Sequence, residues 1–433
     1  MTDLSLYDKE IEYIFKQFPS YQKVGKVAYK PGIETMKEFD KVLGSPHKKF
    51  LSIHIAGTNG KGSVSHMLAA VLQKTGAKVG LYTSPHLADF RERIKVNGEM
   101  IDKDSVLDFL TTWKPYMLDK KPSFFEITTA MAFDYFASQG VDIAVIETGL
   151  GGRLDSTNVI TPLLSIITNI ALDHCEHLGF TLGEIAREKA GIIKPGVPVV
   201  VGEALPSTKY IFEQFARENS SRLVFAQESL FREILASDYD LDLKGDYQTH
   251  NIRTVLTSLS LLSENNKFMK VVEQGWSDSN IRLALKTAAA TTGLRGRWEY
   301  LSQDPPVICD TGHNANGLRI VFSQLRRQKA SRLFLILGFV AEKDLEKILG
   351  LFPIQAYYFF TQAKIDRALD AAALAKRALS QGFEGEIKGS VEQAIKDYKN
   401  VYKDGDLLFI GGSTFIVAEA IEFFEKNRNF FAN

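Results

Sequence analysis

Cysteine is nearly absent: the 433 residues hold two, Cys175 and Cys309, too few for a disulfide framework. An excess of charge is absent as well. Lysine plus arginine number 52 and aspartate plus glutamate 52, a formal net charge of zero. A neutral chain without basic runs has no electrostatic footprint for nucleic acid. No apolar run approaches the ~20 residues that span a bilayer, and the longest, such as 333–341, fall far short. The opening residues, MTDLSLYDKE, have neither a basic start nor an apolar centre, so no secretory signal is expected. Internal repeats and low-complexity segments are missing too. These absences leave a soluble cytoplasmic globular protein as the expectation, 45% hydrophobic. At roughly 100–200 residues per domain it has length for two or three domains.

What is present is alternation. Residues 50–56, 79–83, 141–147, 163–169 and 197–201 are short apolar runs rich in Val, Ile and Leu, the pattern of strands buried on both faces. Helical patterns lie between them. The clearest has Val64, Met67, Leu68, Val71 and Leu72 on one face and closes at Gly76. Such alternation predicts a mostly parallel sheet covered by helices. It weakens over 227–305, where Ala288 to Gly293 reads as a helix end and a short linker, then resumes with strands at 307–310, 333–338, 357–361 and 407–410. A boundary near residue 294 is expected, giving domains 1–294 and 295–433, both α/β.

The strongest local signal is Ile53-His-Ile-Ala-Gly57-Thr58-Asn59-Gly60-Lys61-Gly62-Ser63. A strand runs into a glycine-rich turn with a lysine, and a helix begins at once. Backbone N–H groups in such a turn curl around a phosphate, the helix start adds positive charge, and Lys61 reaches the outer phosphates. The segment departs from GxxxxGK[ST], since Ile55 stands at the first glycine and Gly62 follows the lysine. The bland alternative is a packing turn. A strand, a loop and a helix in the required order favour the phosphate loop.

Without a hydroxyl next to Lys61, the metal ligands must come from elsewhere. The carboxyl ends of strands are where ligands sit in open α/β sheets. Ser84-Pro85-His86 follows 79–83, Glu147-Thr-Gly149-Leu-Gly151-Gly152-Arg153 ends 141–147, and Asp173-His174 follows 163–169. Oxygens of Ser84 and Glu147 suit Mg²⁺, which would bridge the β- and γ-phosphates of ATP. His174 is open on chemistry alone. Imidazole is an unusual Mg²⁺ ligand, and His174-Cys175-Glu176-His177 also suggests zinc, although no second Cys/His cluster completes a tetrahedral site.

In order along the chain, GTNGKGS, TSPH, ETGLGGRLDSTN, LDH…LG and EKAGIIK resemble the folylpolyglutamate synthase/dihydrofolate synthase family, a branch of the Mur-type amide ligases. Gly296-Arg297 and Asp310-Thr-Gly-His313-Asn314 resemble its later GR and DxxHN elements. The likeness runs from Lys30-Pro31-Gly32-Ile33-Glu34 to Gly411-Gly412-Ser413. One departure is Cys309-Asp310-Thr311-Gly312-His313, where the family often has D-G-A-H. The resemblance implies a P-loop domain with a smaller C-terminal Rossmann-like α/β domain. It implies ATP contacts from Asn59, Gly60, Lys61, Gly62, Ser63, Asn251, Arg297 and Asp310, and magnesium ligands Ser84, Glu147 and His174. Lys189 matches a lysine that carries a carbamate. Ser123, Phe124, Phe125, Glu126, Leu154, Asp155 and Ser156 match segments lining a pterin-side pocket, although Phe124 and Phe125 alone would read as core. His313 matches a histidine near the incoming L-glutamate. The implied reaction joins glutamate to dihydropteroate or to reduced folates, with ATP and Mg²⁺ as cofactors; from composition, no nucleic-acid or membrane partner is expected, and a monomer is the expectation.

Two rivals fare worse. A cell-wall ligase carries a nucleotide-sugar domain ahead of the loop, and only about fifty residues precede it here, too few for a domain. A nucleotide switch would need a base-reading motif such as NKxD, and the sequence has none.

Overall fold

The computed structural model describes residues 5–18 and 32–431. Lys30 and Pro31, which open the family resemblance, lie outside the described residues. The chain forms two compact units.

The first unit takes Met1–Asp242 and Gln248–Leu294. Its strands are β1 (Leu51–Ala56), β2 (Val79–Tyr82), β3 (Ile94–Val96), β4 (Glu99–Met100), β5 (Ile143–Glu147), β6 (Leu164–Ile167), β7 (Val199–Val201) and β8 (Leu223–Phe225). They form one sheet in the order β4-β3-β2-β5-β1-β6-β7-β8. The β3 pairings to β2 and β4 are antiparallel and the other pairings are parallel. The five runs foreseen from apolar patterning are β1, β2, β5, β6 and β7, and all five are side by side. Side chains on β2, β5, β6 and β7 are buried throughout, as an interior strand with helices on both faces requires.

Helix Lys61–Lys74 follows β1, and it is buried on more than the apolar face read from the sequence. Ser63 to Leu72 are all buried. Small residues, Ser65, Ala69 and Ala70, let helices Gln248–Leu262, Asp278–Lys286 and Ala288–Thr292 pack closely against it. Beside it, buried Lys95 donates to the carbonyls of Thr292 and Gly293 at 2.7 and 3.3 Å, capping the helix that ends the unit.

The second unit takes Leu243–Tyr247 and Arg295–Asn433. Its strands are β9 (Glu299–Gln303), β10 (Pro306–Asp310), β11 (Leu333–Leu337), β12 (Tyr357–Phe360), β13 (Glu384–Ile387) and β14 (Leu407–Gly411). The order is β13-β12-β11-β14-β10-β9, with β9 antiparallel to β10 and the rest parallel. Its core is aromatic, with Phe322, Phe352, Tyr358, Phe360 and Phe409 among the buried side chains. The five-residue excursion Leu243–Tyr247 is stitched into this unit. Gln324 donates to the Lys244 carbonyl at 2.9 Å and accepts from the Asp246 N–H at 2.7 Å, and Arg327 pairs with Asp246. Among the described residues no helix is long and apolar enough to cross a membrane.

Candidate active site

Glycine is required where β1 turns into its helix. Gly57 has φ +152°, and a Cβ there would lie 1.8 Å from Thr168 Oγ1. Gly60 has φ +85°, and its Cβ would lie 2.3 Å from Asn251 Oδ1. The loop is held by groups that follow β6. The Asn59 N–H donates to Asn169 Oδ1 at 2.9 Å, and Thr168 Oγ1 donates to the Asn59 carbonyl at 2.6 Å. On the helix side, Gln248 donates to Ser63 Oγ at 3.2 Å and accepts from Asn251 Nδ2 at 2.7 Å. Gln248, Asn169 and Thr168 were not foreseen. The only hint was that Gln248 precedes Asn251 by one helical turn.

Two amines converge on one carbonyl. Lys61 Nζ lies 3.1 Å and Lys189 Nζ 2.9 Å from the Gly57 oxygen. Lys61 also stands 3.9 Å from Glu147 Oε1, a carboxylate only 3% exposed at the last residue of β5. Lys189, near the end of helix Leu182–Ala190, is 3% exposed. Burial, and after it the Lys61 charge, brings its amine down to about 7.

Register places the metal candidates on one edge. Glu147 pairs with Ile55, and Ile167 with Ala56, so the ends of β5, β1 and β6 are level. Ser84 follows β2, the next neighbour, and is half-buried. His174 follows β6 at φ +51°, its N–H donating to Asp173 Oδ1 at 2.9 Å. Among the described residues no three His, Cys, Asp or Glu side chains group as a metal site. The donor chemistry nonetheless fits Mg²⁺, which takes one or two protein carboxylates and fills its octahedron with water and phosphate oxygens.

The candidate substrate segments lie on the same unit. Ser123 and Glu126 form a capping box at the start of helix Phe124–Ser138, with the Ser123 N–H donating to Glu126 Oε2 at 2.6 Å. Phe124 is buried in the core, with Arg93 over its ring at 5.4 Å. Phe125 is partly buried and tilts against Tyr82 at 5.8 Å. Leu154 is half-buried, while Asp155 and Ser156 are buried. Burial raises the Asp155 carboxyl, against its hydrogen bonds, which lower it.

In the second unit, buried Asp310 ends β10. It accepts from Tyr247 Oη at 2.6 Å, Trp298 N–H at 2.8 Å and Gly312 N–H at 2.7 Å, and burial raises its carboxyl. Arg297 donates to the Thr311 hydroxyl and, at 3.2 Å, to the Gly296 carbonyl. His313 Nδ1 lies 3.0 Å from the Thr311 carbonyl and must carry the proton there. Tyr247 was not foreseen, because nothing in the sequence marks residues 243–247 as part of the second unit.

Residues 55–267 match the Mur ligase middle domain, and 296–414 the Mur ligase glutamate ligase domain. The dihydrofolate synthase/folylpolyglutamate synthase of Bacillus subtilis is 32% identical over 409 residues, 89% of this chain and 94% of that protein. The chain belongs to the dihydrofolate synthase/folylpolyglutamate synthase family. It spans nearly the whole of some curated relatives and about half of others, 48% in one case. The folylpolyglutamate synthase of Mycobacterium tuberculosis, complexed with ADP and AMPPCP, superposes with a TM-score of 0.84 at 27% identity, covering 96% of this chain and 98% of that one. A bifunctional folylpolyglutamate synthase/dihydrofolate synthase with Mn, AMPPNP and L-glutamate bound gives 0.78 at 26%, covering 92% and 95%. As a dihydrofolate synthase/folylpolyglutamate synthase family member, this protein is an ATP-dependent amide ligase that adds glutamate, with ATP and Mg²⁺ as cofactors.

Proposed function

We propose that this ligase adds L-glutamate to dihydropteroate and further glutamates to reduced folates, as a cytoplasmic monomer. The observation that carries the reading is the convergence of Lys61 and Lys189 on the Gly57 carbonyl, 3.1 and 2.9 Å away, beside the buried Glu147. A phosphate loop alone would serve many nucleotide enzymes. A second, buried amine at the same carbonyl suits a lysine that becomes a carbamate, since CO₂ exchanges a positive charge for a negative one where two cations crowd.

In this reading Asn59, Gly60, Gly62 and Ser63 present the loop N–H groups to ATP. Lys61 neutralises the γ-phosphoryl group as the substrate carboxylate attacks it. ADP leaves and an acyl phosphate remains. The glutamate amine attacks its carbonyl carbon, phosphate departs, and the amine sheds a proton as the amide forms. Ser84, Glu147 and His174 would hold Mg²⁺, which supplies positive charge to the phosphate oxygens. Asn251, Arg297 and Asp310 hold the nucleotide, and His313 lies by the incoming glutamate. The segments Ser123-Phe124-Phe125-Glu126 and Leu154-Asp155-Ser156 shape the pterin side, with Phe125 offering a ring face.

The test is glutamate-dependent ADP release with dihydropteroate and tetrahydrofolate offered separately. Release with both is expected. Release with tetrahydrofolate alone leaves an enzyme that only elongates folates, and release with neither sinks the reading.

A further inference from the structure

The chain crosses from one unit to the other three times, after Asp242, before Gln248 and after Leu294. The first-unit side of each crossing is tied to one helix, Lys61–Lys74, either directly or through the short helix Ala288–Thr292 that packs on it. Gln248 donates to Ser63 Oγ at 3.2 Å. Asp242 Oδ2 accepts from the Ala290 N–H at 2.9 Å. Two residues before Leu294, Thr292 Oγ1 lies 2.7 Å from Nδ1 of His66, in the second turn of the phosphate-loop helix. The Thr292 hydroxyl spends its one proton on the Ala288 carbonyl at 2.6 Å, so His66 Nδ1 is the donor.

The sheet holds the same turn. Lys95, on β3 and 4% exposed, donates to the carbonyls of Thr292 and Gly293. Helix ends leave such carbonyls without intrahelical partners, and a buried ammonium is costly unless acceptors meet it. Both acceptors here belong to the last residues before the crossing at Leu294. Asn97-Gly98 joins β3 to β4, and a Cβ on Gly98, at φ +83°, would lie 2.3 Å from the Thr291 carbonyl oxygen. The hairpin backbone therefore lies against that last turn, and glycine alone admits the approach. His66, Lys95 and Thr292 are all buried. None of the three touches nucleotide, metal or pteroyl group in the functional reading.

We propose that His66, Lys95 and Thr292 are positioning residues of the ligase reaction: they lock the last turn of the first unit to the phosphate-loop helix, and so fix the path of the chain to Arg297. The inference rests on the reading in which Arg297 holds the nucleotide, and it adds three residues that act through that guanidinium. The helix Lys61–Lys74 then has two tasks. Its first turn meets the phosphates, and its second, at His66, sets where the chain departs. A clasp that positions Arg297 and one that only stabilises the first unit predict different behaviour. Loss of a positioning clasp weakens nucleotide binding only while Arg297 is present. Loss of packing has the same effect with or without that side chain.

The experiment is calorimetric titration of the full-length enzyme with ADP, arranged as a double-mutant cycle. Single variants are Thr292→Val, Thr292→Ser, Lys95→Met and Arg297→Ala, and the first and third are each combined with Arg297→Ala. Expected for Thr292→Val and for Lys95→Met is a roughly tenfold rise in the ADP dissociation constant, since a misplaced group loses its contact. Thr292→Ser binds as the wild type does. In the Arg297→Ala background neither substitution weakens binding further. Should Thr292→Val yield no soluble protein, the Lys95→Met arm decides. Equal losses in both backgrounds overturn the proposal, because the clasp then acts without Arg297. So do wild-type ADP affinity in both single variants and an Arg297→Ala enzyme that binds ADP normally. A wild type that binds ADP but turns over neither pteroyl substrate condemns the functional reading instead, and the cycle still reads the clasp.

Discussion

A lysine amine at about 7 is half deprotonated near neutrality, and only the deprotonated form attacks CO₂. For Lys189 the sign follows directly. If the proposed carbamate forms, its occupancy should rise as pH climbs through about 7 and fall below it, because acid reprotonates the amine. With ¹³C-bicarbonate, a carbamate carbon signal is expected above that pH and should fade below it. Lys189→Ala should lose both the signal and most of the ligase activity. Absence of the signal, with an active Lys189→Ala enzyme, would return this residue to an ordinary buried lysine. Glu147 makes a second case. Glu147→Gln keeps the side chain's shape while removing the charge 3.9 Å from Lys61. A fall in kcat of about a hundredfold or more is expected, with circular dichroism and melting close to wild type. Near-normal turnover at saturating Mg²⁺ would remove Glu147 from the metal site.

The loop between β1 and its helix depends on absent side chains as much as on present ones. Gly57→Ala would set a Cβ against the Thr168 hydroxyl that holds the Asn59 carbonyl. Strain at a positive φ plus overpacking should cost roughly 2–5 kcal/mol. Denaturant unfolding measures that cost, and calorimetric titration with ADP should show weakened binding. A variant as stable as wild type, with unchanged ADP affinity, would refute this account of the loop. The same element shows what a sequence can disclose. Interior strands announce themselves because both faces are apolar, so β1, β2, β5, β6 and β7 were legible. Edge strands do not: β13, Glu384–Ile387, is mostly exposed, and β4 is two exposed residues. Edges need polar, solvated side chains. Within the site, glycines and Lys61 carried a pattern that physics could read. His174, Lys189, Asn251 and Arg297 needed the family resemblance, since each residue type is ordinary by itself. Gln248 and Thr168 reach the loop through hydrogen bonds whose partners lie far away in sequence, and no local pattern records them.

Across the whole molecule the chain passes between the two units at Asp242/Leu243, Tyr247/Gln248 and Leu294/Arg295. A fragment ending at Leu294 should form no product at any ATP concentration, because Arg297 and Asp310 are gone. It should also be sticky. Leu243 and Tyr247 belong to the second unit, where Leu243 is buried and Tyr247 donates to Asp310. Without that unit both are uncovered. The fragment should bind a hydrophobic dye, and Leu243→Asp/Tyr247→Ser in the fragment should reduce the binding. Equal dye binding by the two fragments would show that the excursion has found cover elsewhere. The excursion also bears on inheritance. A gene exchange that replaced everything after Leu294 would import a second unit without the five residues that thread it. Ancestral recombination at that single point should therefore have failed, and residues 243–247 should change in step with Asp310, Gln324 and Arg327 across descendants rather than with the helix that follows them in the chain.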